Sequence, residues 1–545
     1  MRCADDRVEG DPRDDDQPAE REDRTHEHEN RSRPGRPPTV IFGLVAAPKA
    51  FDELKTRLAQ VTDVNRVRRI LGWDMQVMMP SAGGAVRGEQ QATLDRIAYD
   101  IFTSPDTGRL LEELATYEDS LDPDSDDASL IRVARKDFDK TVRIPADLRT
   151  EIVKAGTEGF MAWRLARPAN DFESFRPHLE HHMELRRRYV ELFPEADEPY
   201  DVLLDDYERG MKASEVRVVF ERMKEELVPL VAEARELYGE DDGTLARAFP
   251  KDKQEAMARE IIDLFGHRED SWRLDPTVHP FASGGGVDDI RITTKYEPKG
   301  LESFFATMHE YGHGLYEHQV ARELDRTPLG GGVSLGLHES QSRMWENLVG
   351  RSRPFWRFFY PRLQERFSPL LDDVDEETWF RAVNIVQPSL IRIAADEITY
   401  NMHIILRFEL EQDLLAGNVE PRDLPSEWNR RMDEYLGIDV PSDADGVLQD
   451  MHWGTGTIGY FPTYSLGNVM SVQIWERIKD DLPDLDDKLE RGEFAPLREW
   501  LGEHIHRHGR KFTPQETLER AVGSRIDPEP YLAYLRQKHG AATPA

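Results

Sequence analysis

Residues 301–319 read LESFFATMHEYGHGLYEHQ, and both the architecture and the chemistry turn on this stretch. Phe304, Phe305, Met308, Tyr311 and Leu315 recur at helical spacing and predict a buried helix. Inside it stands H-E-Y-G-H. Residues four apart on an α-helix differ by about 40° of rotation and one turn of rise. His309 and His313 therefore project side by side and can share one metal ion. Glu310, rotated by about 100°, reaches toward a water on that ion rather than the ion itself. Two imidazoles and a carboxyl set on an apolar helix would be costly without a ligand to serve.

Two imidazoles need a third donor. Only one cysteine exists, Cys3, so no intrachain disulfide can form and no set of thiolates can hold a metal. Glu317, His318, Glu323, His338 and Glu339 follow the motif closely. Glu317 lies on the same helix one turn further on, where a shared centre would be strained. A second helix, GLHESQSRMWENLVG over Gly336–Gly350, can deliver a donor from across a cleft, with Trp345 and Leu348 as apolar anchors. We choose Glu339 from it. Two imidazoles, one carboxylate and one open position are the marks of a catalytic zinc site rather than a closed structural one.

Outward from this pair, amphipathic segments run along almost the whole chain. Phe51, Leu54, Leu58 and Val61 begin the pattern, and Glu151–Arg167, Ser214–Tyr238, Lys253–Phe265 and Ser389–Leu415 continue it. Short Pro, Gly and Asp clusters separate them. One segment breaks the rule. In DDIRITTKY, Asp288–Tyr296, Ile290, Ile292 and Thr294 alternate with polar neighbours and predict a strand after a flexible run, Ala282–Gly286. A lone strand needs a partner, so a small sheet near the active site is expected. Residues 1–45 are dense in charge and Pro and read as a disordered extension, with His26 and His28 as solvated passengers. Residues 46–545 then form a single helical domain.

The chain carries 105 acidic against 71 basic residues, a formal net charge of -34, and its cations are mostly Arg. This balance repels nucleic acid and anionic membranes. Because the acidity is spread along the whole chain, it suits a protein adapted to molar salt, where self-repulsion is screened. There is no secretory signal and no apolar run long enough to span a bilayer, so the expected location is cytoplasmic. His504, His506 and His508 alternate within Leu497–Lys511. That segment reads as a helix, on which the three would not converge and would serve as solvated or capping residues. The acidic run Asp122–Asp127 reads as a hydrated loop.

Several further motifs stand in a fixed order: H-P-F at His279–Phe281, D-x-R-x-T at Asp289–Thr293, H-E-S-Q at His338–Gln341, I-R-x-x-A-D at Ile391–Asp396 and G-x-x-Q-D-x-H-W at Gly446–Trp453. LGWDMQVMMP, Leu71–Pro80, and GYFPTYSLGN, Gly459–Asn468, accompany them. Taken with H-E-x-x-H, these resemble the carboxypeptidase Taq family of metallocarboxypeptidases over about Phe51–Tyr534. The resemblance implies a mainly helical, saddle-like enzyme with a deep groove, commonly a homodimer. It implies removal of single residues from peptide C-termini with broad specificity and poor use of C-terminal Pro, supported by zinc or cobalt. It also matches Glu339 to the third metal ligand.

The expected reaction is attack of a zinc-bound water whose proton Glu310 accepts and passes to the leaving amine. The oxyanion then needs a donor. His452 is the candidate, helped by Tyr460 or Tyr464, an arrangement that looks like that of related helical zinc peptidases. Both tyrosines sit in an aromatic stretch and could equally just pack. A terminal carboxylate is best held by Arg, and Arg392 and Arg291 are the family-motif arginines. Either could instead form a structural ion pair, with Asp396 or Asp289 for example. His279 could line the groove or brace Phe281. The alternatives are a zinc oligoendopeptidase, which should not need the arginines, and an inactive peptide-binding relative, which should not need Glu310.

Overall fold

The helix expected over residues 301–319 is Glu302–His318 in the computed structural model, which describes residues 47–238 and 243–540. The expected extension over residues 1–45, with Cys3, His26 and His28, lies outside the described residues. Phe304, Met308, Tyr311 and Tyr316 of the helix are fully buried, as the apolar spacing requires. Phe304 packs among Phe355, Trp356 and Phe359, and Tyr311 sits between Trp272 and Trp345. The Tyr311 hydroxyl donates to the Phe265 carbonyl at 2.6 Å, so its buried polar end is satisfied.

The remaining architecture is mainly helical, as expected. Long helices span Lys49–Val77, Gly84–Phe102, Ala146–Ala169, Phe172–Val190, Ala213–Tyr238 and Pro462–Asp481. Among the described residues no helix is long and apolar enough to cross a membrane.

One small sheet completes the fold. Its strands are β1, Trp272–Pro276; β2, Ala282–Gly286; and β3, Asp289–Thr294, in the order β1-β3-β2. Central β3 runs parallel to β1, with Trp272 opposite Ile290, and antiparallel to β2. Ile290 and Ile292 point into the core beside the H-E-x-x-H helix. The strand predicted over 288–296 is therefore present. The Ala282–Gly286 run, read as flexible, is its antiparallel partner, because ladder pairing with β3 compensates for the weak strand preference of ASGGG.

Two helical expectations change. In the Ser389–Leu415 segment the helix starts only at Thr399. The Asp396 carboxylate accepts from the Ile398 and Thr399 amides and the Thr399 hydroxyl, which closes the N-terminus there. Residues before it are irregular apart from one short turn, Arg392–Ala394. In Leu497–Lys511 the helix ends at His504 and a separate turn covers His506–His508. The expected solvation fails for His506, which is fully buried. Its Nδ1 meets the Gln319 side chain and its Nε2 the Gln341 side chain, each at 2.7 Å. His504 is exposed and lies tilted against the Trp500 ring. Around the acidic run, Asp124 pairs with Arg520 and Asp126 with Lys511.

Candidate metal centre

The predicted second helix begins at Leu335, capped by the Ser334 hydroxyl, and runs regularly to Arg343 before widening into a π-turn over Met344–Val349. It crosses the H-E-x-x-H helix very closely. A Cβ on Gly312 would lie 2.5 Å from the Gln341 carbonyl oxygen, so only glycine allows the approach. The approach brings three donors together. Nε2 of His309 and Nε2 of His313 each lie 3.6 Å from Oε2 of Glu339, and all three donor atoms fall within 4.8 Å of one another. Tetrahedral bonds of about 2.0–2.2 Å set donors roughly 3.3–3.6 Å apart, so the set fits one four-coordinate ion with a free position.

Each donor is aimed by a partner behind it. His309 Nδ1 meets Glu346 Oε2 at 2.9 Å. His313 Nδ1 meets His338 Nδ1 at 3.2 Å, and His338 Nε2 meets Glu317 Oε1 at 2.7 Å. The Gly332 amide also donates to Glu317. Arg343 Nε donates to Glu339 Oε1 at 2.7 Å, which turns Oε2 toward the imidazoles, and Arg343 reaches Glu346 as well. Occupying the outer ring nitrogen fixes which nitrogen faces the metal. Two residues weighed as ligands from sequence, Glu317 and His338, thus stand behind His313 in the structure.

The electrostatics follow. Burial alone would raise Glu339, but Arg343, His309 and His313 outweigh it and hold the carboxyl well below its usual range. Burial also opposes Glu346, yet Arg343 and His309 bring it down to about 2. His309 is raised despite burial, because Glu339 and Glu346 face it. His313, whose outer partner is another imidazole, is lowered by burial to about 4. Glu310 is pushed up to about 7 by burial, and its Oε2 is buried without a hydrogen-bond partner among the described residues. A buried carboxyl oxygen without a partner is costly unless a bound molecule completes it.

A second cluster adjoins the first. On the Pro462–Asp481 helix, a Cβ on Gly467 would meet the Glu339 Cβ at 2.6 Å, so this helix rests on Glu339 itself. Tyr464 lies one turn before Gly467. Its hydroxyl is 3.4 Å from His452 Nε2, and the Tyr460 ring lies 5.2 Å from the Tyr464 ring. Burial first, and the Glu339 charge among the further causes, raise both tyrosines. Burial lowers His452 to about 4, so it is neutral near pH 7. The loop carrying His452 and Tyr460 is pinned by buried Glu411, which accepts from Trp453 Nε1 and the Gly459 amide.

The two arginines each have an acidic partner. Arg291 makes a two-pronged pair with Asp289 at 2.8 and 3.0 Å, and its guanidinium lies 4.4 Å from the Trp73 ring centre. Arg392 is buried. It pairs with Asp450 rather than Asp396, at 2.8 Å, and donates to the Tyr400 hydroxyl at 3.0 Å. Asp450 also takes Arg407, and the two arginines overcome burial to keep it far below the carboxylate range. His279 is exposed in the bend after β1. Sequence reasoning missed Arg343, Glu346, Asp450 and Glu411. A signal existed for two of them, because Glu339, Arg343 and Glu346 recur at i, i+4 and i+7 on one helix face.

Two helices that bring two imidazoles and a carboxylate within 4.8 Å of one another, with a buried glutamate next to the first imidazole, define the candidate centre of a helical H-E-x-x-H metallopeptidase. The chain belongs to the carboxypeptidase Taq (M32) metallopeptidase family, whose pattern matches residues 53–539. It is 40% identical over 486 residues to thermostable carboxypeptidase 1 of Thermus thermophilus, covering 87% of this chain and 94% of that protein. Carboxypeptidase 1 of Bacillus subtilis is 35% identical over 491 residues, covering 90% of this chain and 97% of that one. Among solved structures, the M32 carboxypeptidase of Deinococcus radiodurans superimposes with a TM-score of 0.87 at 40% identity, over 90% of this chain and 99% of that one. Metallocarboxypeptidase 1 of Trypanosoma cruzi does so with a TM-score of 0.86 at 32% identity, with the same coverage. The protein is a metallocarboxypeptidase that hydrolyses peptides from the C-terminal end.

Proposed function

We propose that the metal is zinc, with cobalt as a working substitute, held by His309, His313 and Glu339, and that the enzyme releases single amino acids with broad specificity. The unpartnered Glu310 oxygen beside the three-donor set carries this reading. When bound, zinc polarises the scissile carbonyl and lowers the pKa of the attacking water. Glu310 takes the proton on its free oxygen and delivers it to the leaving amine. The neutral His452 ring and the hydroxyls of Tyr460 and Tyr464 donate to the carbonyl oxygen as it gains charge. Arg392 and Arg291 hold the terminal carboxylate. Each is oriented by an acidic partner and keeps further N–H groups to offer. His279 stands at the rim of this end.

Residues 46–545 act as one catalytic domain behind a charged extension. The enzyme works as a cytoplasmic homodimer, and the charge of -34 makes it salt-dependent. Full folding and activity in dilute buffer would overturn the salt requirement.

The test uses a blocked dipeptide and a longer peptide in concentrated KCl, with released amino acids read by mass spectrometry. Chelation, zinc or cobalt add-back and Glu310→Gln serve as controls. Stepwise C-terminal loss that needs both metal and Glu310 is expected. Internal cleavage would indicate an oligoendopeptidase, and binding without cleavage an inactive relative.

A further inference from the structure

Beside the metal centre lies a cavity of about 780 Å³, bounded by the first two helices, the helices around Lys140, Arg149 and Arg186, and the turn at Gly330–Gly332. Glu317 lines it, and the chain from Glu317 through His338 reaches the metal ligand His313. Neither Arg291 nor Arg392 lines it, so it is not the place of the terminal carboxylate.

The charge of this cavity runs against that of the whole protein. Acidic residues outnumber basic ones 105 to 71 along the chain. Yet four cavity arginines, Arg68, Arg69, Arg149 and Arg186, have a single carboxylate partner between them. Arg68 and Arg149 share Asp95, each at 2.9 Å. Arg186 donates to the Gly456 carbonyl, and Arg69 makes no ion pair among the described residues, although its charge helps to hold Glu317 ionised. The other two lining cations have carboxylates of their own, Lys140 on Asp205 and Asp206 and Arg510 on Asp137. Glu317 adds little repulsion toward a ligand, because His338 and the Gly332 amide already engage it.

We infer that this cavity receives acidic side chains of the peptide on the amino-terminal side of the scissile bond. This rests on the carboxypeptidase reading: with the terminal carboxylate at Arg392, the rest of the peptide runs past the metal toward the cavity, whose Arg69 stands one helical turn from the Trp73 on which Arg291 stacks. The path from His313 to Glu317 is two hydrogen bonds and one ring long, roughly 10 Å. An extended peptide advances about 3.3 Å per residue, which brings the second to fourth residues before the bond to the arginines. Their unpaired N–H groups select Asp or Glu there by charge-assisted hydrogen bonds.

The experiment compares acetyl-Ala-Xaa-Ala-Ala-Phe with Xaa as Glu, Gln or Lys, on the zinc-loaded full chain, at the lowest KCl that keeps it folded and at high KCl. At low salt the Glu peptide should show about three- to fivefold higher kcat/KM than the Gln peptide, mainly through KM, with Lys lowest. The gap should narrow in high KCl and disappear in Arg69→Gln and Arg149→Gln. Equal values for Glu and Gln overturn the inference, and so does a Glu preference that both variants retain. Phe released from all three peptides alike refutes this inference alone. Phe released from none refutes the carboxypeptidase reading, and the inference with it.

Discussion

Glu346 Oε2 stands 2.9 Å from Nδ1 of His309, on the same helical face as Glu339, whose Oε2 is 3.6 Å from the other nitrogen of that ring. One helix thus grips the imidazole from both sides. In the proposed centre its first carboxylate would share the metal, and its second would keep the ring in the tautomer that can bind it. Glu346→Ala should lower metal affinity about 10–100-fold while leaving the fold intact. Titration with a metal-buffered indicator reads this directly, and unchanged affinity would show that the ring needs no such support.

The close crossing at Gly312 gives a second prediction. A methyl group there meets the Gln341 carbonyl at 2.5 Å and pushes the two ligand helices apart. Gly312→Ala should destabilise the protein by about 1–3 kcal/mol and weaken metal binding with it. Thermal melting with and without metal measures both, and a variant that melts like the parent would contradict the packing.

The tyrosine on the neighbouring helix separates binding from turnover. Tyr464 lies 3.4 Å from His452 and one turn from the glycine that touches Glu339. If it donates to the developing oxyanion, Tyr464→Phe should lower kcat about 100-fold with little change in KM. A loss confined to KM would assign it to substrate packing instead.

Buried Glu208 sets a pH dependence of stability. It accepts from the Ser334 hydroxyl at 3.0 Å and the Gly336 amide at 2.8 Å, at the start of the Glu339 helix. Burial outweighs these bonds and raises its carboxyl from 4.5 to about 7. The folded state therefore holds this proton more tightly than the unfolded chain. The resulting stabilisation is complete below pH 4.5 and is lost as pH rises through about 7. Glu208→Gln keeps one acceptor and one donor and has no proton to lose, so its stability should fall less than the parent's between pH 5 and 8. Parallel denaturation profiles would refute this assignment.

Much of the centre was legible in the sequence because its parts are local. His309, Glu310 and His313 share one helix, and choosing Glu339 over His338 on the second helix gives two imidazoles and one carboxylate. The strand at 289–294 announced itself by alternation. What lay hidden depends on the tertiary fold. Asp450 becomes the partner of Arg392 only when residues 58 positions apart meet. His506 looked solvated because Leu497–Lys511 reads as one helix on which the three histidines diverge, whereas a separate turn carries it inward. Ala282–Gly286 carries no strand signal of its own and gains its conformation from β3. The late start of the Thr399 helix was readable in principle, since Asp396 three residues before Thr399 is an N-cap spacing, but the apolar periodicity runs through it.

His506 joins Gln319, just past one ligand helix, to Gln341 inside the other, across 187 and 165 positions of chain. A growing polypeptide that has left the ribosome only as far as Gly350 already carries His309, His313 and Glu339, yet the clasp that ties the two helices together has not been synthesised. Because domains tend to fold as units during synthesis, a hydrolase built this way gains its finished centre only near the end of translation.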